Sequence, residues 1–320
     1  MAPPLGYIRR QDRSQAQHDA HDAAEQKMVR MHGLPDFKLN PGQKIMLTDV
    51  WTHPDVVADL GRPFKRFKQN TGSCIGVSLG DAIVTLTGTQ RLLTDGATKA
   101  MLPWWPQVYG RTRYNEGDRG QGEGAMNSAA CETMRTEGVL DSQEPGLPSY
   151  QDSDGLTISA HDEMAWSDGG SQLVTKWIPM AKKFPLGSAA PARNVQDIVN
   201  GIANGYPGYD GCDYYVGHGT IKGSGKDAYV VGHYDGQGGH STCFLGAWMH
   251  PNDGLLLLYS NQWPIETYPA DPAGAGPCCV WLPEREVARI WSDFNADAYL
   301  LSHQTYFPAQ PKVPELFSWD

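Results

Sequence analysis

The feature that most restricts the fold of this chain is a change of hydrophobic period near residue 207. Before it, small and apolar residues recur at helical spacing; after it they come in short runs bounded by glycine, asparagine and proline. The stretch CIGVSLGDAIVT predicts a helix from Cys74 to about Thr85. GAMNSAACETMRTE predicts a second helix from Gly124 to Glu137, stopped by Gly138, and a third runs from Asn194 to Ala203. Gly110 to Glu123 and Gly146 to Gly155 read as loops. Beyond Pro207, Tyr214 to Val216, Ala228 to Val231, Ser241 to Trp248 and Gly254 to Ser260 read as strands. His250-Pro251-Asn252-Asp253-Gly254 supplies a turn that makes the last two a hairpin. Glu284 to Trp291, behind Pro283, reads as one more short helix. The expectation is an α+β fold with two lobes, one helical and one antiparallel and β-rich. A chain of 320 residues is long enough to bury a core in both.

Composition narrows the function. The formal charge is -10, and the one tight basic cluster is Pro63-Phe64-Lys65-Arg66-Phe67-Lys68. Nucleic acid is therefore not an expected partner, because phosphate binding needs a cationic stripe. The longest apolar run, Leu255 to Tyr259, falls far short of the roughly 20 residues that cross a bilayer, so no membrane partner is expected. The first residues lack the apolar core of a secretory signal, which points to the cytoplasm. Cys74, Cys131, Cys212, Cys243, Cys278 and Cys279 show no disulfide framework, and neither a CxxC nor an HExxH pattern occurs. No metal or cofactor is expected. Residues 1–42 read as a polar arm that orders against a partner, 43–298 as the main domain and 299–320 as a proline-rich tail. Within the domain the helical lobe is expected at about 60–165 and the β-rich lobe at about 195–292.

Three segments carry candidate chemistry. In Gln69-Asn70-Thr71-Gly72-Ser73-Cys74 a loop ends in Gly-Ser and a cysteine opens a helix. Backbone amides and the helix dipole at such a start stabilise a thiolate, the nucleophilic form. The cysteine's own amide can serve as an oxyanion donor, with the Gln69 side chain as a second. A buried cysteine that packs as a small hydrophobe gives the same pattern. In Gly239-His240-Ser241 a histidine sits at the mouth of an apolar strand, a rigid mount for a base, although a loop histidine fits as well. In Ser260-Asn261-Gln262-Trp263 the next strand ends. The hairpin brings Asn261 beside His240, where its carbonyl can accept an imidazole N–H and fix the ring, with Trp263 as cover. An ordinary turn followed by a core tryptophan is the plainer reading. His218 and His233 are rival bases in glycine-rich segments.

The order Cys74, His240, Asn261, with Gly-Ser-Cys opening a helix and Asn-x-Trp after an apolar strand, resembles the papain-like cysteine peptidase superfamily. Within it the chain is similar to divergent members encoded by bacteria and tailed bacteriophages. The resemblance spans roughly residues 60 to 292. It includes Val108-Tyr109-Gly110-Arg111-Thr112-Arg113, the turn Gly122-Glu123-Gly124-Ala125, Val195 to Pro207, and Gly276 to Leu282. It implies a papain-like two-lobed fold and a cysteine hydrolase, peptidase or amidase, that forms a thioester acyl-enzyme. On it Cys74 attacks, His240 shuttles the proton, Asn261 orients His240 and Gln69 helps bind the oxyanion. Gly122, Gly124 and Trp263 would line the substrate cleft. Three positions depart from the family pattern: Gln69 lies five residues before Cys74 rather than six, Ile75 replaces a tryptophan, and Thr71 stands where secreted members carry a disulfide cysteine. The expected partner is a peptide or protein substrate. The alternative is a virion-associated interaction protein of a bacteriophage that keeps the fold and docks neighbours through its N-terminal arm, located in the virion rather than the host cytoplasm. Cysteine–histidine hydrolases of peptidoglycan are a further option, for which no wall-binding repeat speaks.

Overall fold

A computed structural model describes residues 7–28, 34, 36–117, 123–150, 156–159, 175–184, 186–262, 268–294 and 296–319. The chain begins with helix α1 (Gln15–Lys27), a short strand β1 (Lys44–Met46) and helix α2 (Pro54–Leu60). The helix opened by Cys74, α3 (Cys74–Leu93), is two turns longer than its apolar signature predicts. It is buried from Cys74 through Leu86, polar Ser78, Asp81 and Thr85 included, so it forms the spine of the helical lobe rather than one wall of it. Close packing against helix α4 (Trp105–Glu116) sets its position: a Cβ on Gly76 would lie 2.7 Å from Tyr109 Cβ and 2.8 Å from the Trp105 ring.

Helix α4 corrects the expected loop at Gly110 to Glu123, of which residues 118–122 lie outside the described residues. The polar run holds as a helix because distant partners satisfy it. Arg111 makes two hydrogen bonds, of 2.7 and 2.8 Å, to the carboxylate of Glu137 on helix α5 (Asn127–Glu137). The Thr112 hydroxyl donates back to the Val108 carbonyl at 2.8 Å.

The β-rich lobe is one eight-stranded sheet. Its strands are β2 (Ser188–Ala192), β3 (Gly208–Lys222), β4 (Tyr229–His250), β5 (Gly254–Ser260), β6 (Cys279–Pro283), β7 (Asp297–Ser302) and β8 (Ser318–Trp319), together with β1. The order β2-β7-β3-β4-β1-β8 is extended by β5 and β6 on the other edge of β4. Three of the expected short strands are pieces of the long β3–β4 hairpin. Its glycines do not break it; the register instead shifts between Cys212 and Tyr214, Tyr215 and Val216, and Val216 and His218. The β4–β5 hairpin turns where expected, with His250 opposite Gly254. β4 also meets β6 at Val231 and Trp281, so the pairing β4-β5-β6 returns to β4 and bends the sheet into a half-barrel. Residues 299–302, at the head of the expected tail, are part of β7 between β2 and β3, and β8 pairs with β1. The helix Val195–Ala203, capped by the Asn194 side chain on the Asp197 amide, and the helix Glu284–Phe294 match their expected places.

The lobes share a continuous core that includes Ile75, Leu79, Ile83, Tyr209, Phe244 and Leu300. Helix α1 lies against α5 of the same chain: His21 Nδ1 is 2.9 Å from Ser128 Oγ. Among the described residues no helix is long and apolar enough to cross a membrane.

Candidate active site

Cys74 is the first residue of α3, behind Ser73. The loop ahead of it is fastened from both lobes. On the helical side the Tyr109 hydroxyl donates to the Gly72 carbonyl at 2.8 Å and accepts from the Gly124 amide at 2.9 Å, while the Gly72 amide donates to Glu123 Oε2 at 2.7 Å. Burial pushes the Tyr109 hydroxyl well up, so it stays protonated and able to donate. On the strand side the Gln69 amide N–H reaches the Gln262 carbonyl at 3.4 Å. The Gln69 side chain donates from Nε2 to the Thr71 carbonyl at 2.8 Å, which folds its carboxamide into the loop that delivers the cysteine.

His240 lies in β4 opposite Cys212 of β3. The β4–β5 ladder ends with Cys243 opposite Ser260. Continuing it by one residue puts Asn261 across from Thr242 and diagonal to His240 on the same face. The side chains meet there: His240 Nε2 is 3.0 Å from Asn261 Oδ1. The amide orientation follows from its other end, because Asn261 Nδ2 donates to the Val216 carbonyl at 2.7 Å and to the Tyr268 hydroxyl at 2.7 Å. Oδ1 is thus the acceptor, the imidazole proton sits on Nε2, and Nδ1 keeps the basic lone pair. Burial pushes His240 down to about 4, only partly opposed by the Asn261 hydrogen bond, so the ring is neutral at neutral pH.

The two halves are joined one step behind the candidate residues. Ser78, one turn after Cys74, places its hydroxyl 2.7 Å from the Cys74 carbonyl and 2.8 Å from the hydroxyl of Ser241, the residue after His240. Cys243 donates to the Ser78 carbonyl and Tyr209 to the Ile75 carbonyl, at 2.8 and 3.1 Å. The first turn of α3 therefore docks on the stretch of β4 that carries His240. Six cysteines are free, and burial pushes the thiols of Cys131, Cys212, Cys243 and Cys279 well up. His218 and His233 stack on each other at 4.9 Å at the exposed end of the β3–β4 hairpin, bonded to Asp235 and Thr220 rather than to Asn261. Gly124, with a φ of 112°, borders the loop of Cys74; Gly122 and Trp263 lie outside the described residues. Among the described residues no group of three His, Cys, Asp or Glu is placed to hold a metal ion.

Sequence reasoning missed a segment that bonds to both sides of these residues. The Tyr7 amide donates to the Gly239 carbonyl at 3.2 Å and the Ile8 amide to the Ala125 carbonyl at 3.0 Å, with Tyr7 bridging Ala125 in parallel sense. Ala125 adjoins the Gly124–Tyr109–Gly72 chain that holds the cysteine loop, and Gly239 precedes His240. The approach is so close that a Cβ on Gly239 would lie 1.9 Å from the Tyr7 carbonyl oxygen. A buried cluster pins the segment: the Tyr7 hydroxyl donates to Asp297 Oδ2 at 2.5 Å, Arg13 pairs with the same carboxylate, and Arg10 reaches Oδ1 at 2.8 Å. Burial alone would raise the Asp297 carboxyl, but Arg13, His21 and Tyr7 hold it below the usual carboxylate range. Cys74 is 0% and His240 1% exposed.

No family model and no curated protein matches the sequence of this chain. Solved structures do match its fold. Xylellain, a cysteine protease from Xylella fastidiosa, aligns over 93% of this chain and 96% of its own with a TM-score of 0.56 at 16% identity. Digestive procathepsin L 3 from the larval midgut of Tenebrio molitor aligns over 89% and 79% with a TM-score of 0.50 at 9% identity. The chain has the two-lobed papain-like fold. The expected α+β architecture, helical lobe and antiparallel lobe alike, is the one observed.

Proposed function

We propose that the chain is a cysteine peptidase or amidase, with Cys74 as nucleophile, His240 as general base and acid, and Asn261 as the group that orients His240. The observation that carries this reading is the 3.0 Å contact of His240 Nε2 with an Asn261 carbonyl whose orientation is set independently, on the strand where the first turn of α3 docks. With Nε2 protonated, Nδ1 takes the thiol proton as sulfur attacks the carbonyl carbon of the substrate. The imidazolium then returns that proton to the departing amine, leaving a thioester. Water, deprotonated by the same nitrogen, attacks the thioester and releases the acid and the thiol. The Cys74 amide is the oxyanion donor this reading assigns, with the second Nε2 hydrogen of Gln69, whose carboxamide is held by the Thr71 carbonyl, as the other.

The same reading makes the described form a closed one. On it residues 7–9, which bond Ala125 on one side and Gly239 on the other, take the place of a peptide substrate, so binding requires their displacement. The test is hydrolysis of a mixed peptide substrate by the full chain and by a Tyr7→Ala/Arg13→Ala variant, with an iodoacetamide-type reagent mapped by mass spectrometry. The expected result is faster hydrolysis by the variant, labelling of Cys74 ahead of Cys131 and Cys212, and loss of both when Cys74 is replaced by alanine. Peptide turnover that survives Cys74→Ala overturns the assignment. A protein that keeps this fold only to bind neighbours, as a virion component would, shows no turnover in any of these forms.

A further inference from the structure

We propose that Tyr268 is a positioning residue for the reaction, holding the Asn261 amide in the one orientation that keeps His240 in its basic tautomer; this rests on the peptidase reading above. An asparagine amide is nearly symmetric in shape, and only its partners decide which end faces a neighbour. Two acceptors face Nδ2 here: the Val216 carbonyl and the Tyr268 hydroxyl, each at 2.7 Å. Tyr268 in turn donates its own proton to the Val216 carbonyl at 2.5 Å, closing a three-membered ring of hydrogen bonds. Both N–H groups of Asn261 are thereby satisfied, and Oδ1 is left for His240. The tyrosine is suited to the task. It is buried, its burial pushes the hydroxyl well up, and a neutral hydroxyl can accept from Asn261 while donating to Val216.

Without the hydroxyl, one Asn261 N–H loses its buried partner, only the Val216 carbonyl still opposes the flip, and the flipped amide becomes more populated. A flipped amide presents Nδ2 to His240 Nε2, which favours the tautomer with the proton on Nδ1. That tautomer has no lone pair to offer the thiol. The loss is one of competent enzyme, not of substrate contact, so kcat carries it and KM does not.

Tyr268→Phe keeps the ring and removes only the oxygen. In the full-length chain opened by Tyr7→Ala/Arg13→Ala, kcat is expected to fall about tenfold with KM unchanged, the size of one buried hydrogen bond. Rescue of nothing further is expected in the double variant: in an Asn261→Ala background, Tyr268→Phe has no additional effect, whereas a residue that merely supports the fold lowers both backgrounds equally. Nitrogen-15 chemical shifts of the His240 ring give a readout that needs no turnover, with the proton on Nε2 in the parent and shared with Nδ1 in Tyr268→Phe. An unchanged ring spectrum, or an equal loss in both backgrounds, overturns the proposal. If neither the Tyr7→Ala/Arg13→Ala protein nor its Tyr268→Phe derivative hydrolyses peptide, the peptidase reading fails, and the ring spectrum still decides whether Tyr268 sets the tautomer.

Discussion

The two walls of the cleft hold their residues by different physics. The helix that carries Cys74 is seated by packing: it is buried from Cys74 through Leu86 and lies on Tyr109 and Trp105 at a distance that leaves no room for a Cβ at Gly76. His240 is placed by hydrogen bonds: a chain from the ring through Asn261 to Val216 and Tyr268, set on two adjacent strands. A packed wall fails when volume is added, a bonded wall when a partner is removed. The difference teaches where each wall is vulnerable.

The sharpest break is the sulfur itself. Cys74→Ala is expected to lower turnover by about a thousandfold or more while the far-ultraviolet circular dichroism is unchanged, since loss of the nucleophile alone removes most of the chemistry. Next comes the packed wall. Gly76→Val must push α3 away from α4 and is expected to cost about 3 kcal/mol in urea unfolding, with activity lost along with the seat of the helix. A stability loss under about 1 kcal/mol would show that the helix start can shift freely and that packing does not place the cysteine. On the bonded wall, Asn261→Ala is expected to lower kcat/KM by about thirtyfold, or 2 kcal/mol, with a smaller effect on unfolding than Gly76→Val. Equal stability losses from the two substitutions would erase the distinction.

The smallest effect joins the two walls through the segment that lies between them. Burial, not charge, drives His240 down to about 4 from its ordinary 6.5. The folded chain therefore binds fewer protons than the unfolded one between these values, and the His240 contribution to stability is lost as pH falls from about 6.5 to 4. Loosening the arm with Tyr7→Ala/Arg13→Ala admits water, so the His240 titration followed by NMR should move up by about one unit or more, and the acid loss of stability should shrink. A titration that stays in place would mean that something other than the arm keeps the ring dry.

Much of this was legible in the sequence, for reasons visible in particular residues. The spacing of small residues from Cys74 onward marks a buried helix, and His250 to Gly254 marks the turn that brings His240 and Asn261 together. Both signals are local. The α4 helix was not legible, because Arg111 finds Glu137 only after folding, and a polar run alone reads as a loop. Tyr109, Tyr268 and Asp297 were equally silent. Each acts through one hydroxyl or carboxylate, Tyr109 on Gly72, Asp297 on Tyr7 and Tyr268 on Val216, partners far away in sequence, and such a bond leaves no period to detect. The arm looked like a segment in need of a partner; Ser14 caps a helix there, and that helix lies against α5 of its own chain.

That residues 7–9 belong to the same chain as the Ala125 and Gly239 they bond has a kinetic meaning. A tethered occupant competes as though present at about millimolar concentration however dilute the protein becomes. Dilution cannot clear it, so a soluble peptide meets the same competitor at every protein concentration. On the reading proposed above, opening must act on the tether or on the Asp297 clasp, which makes it a unimolecular event with its own rate constant, indifferent to how much protein is present.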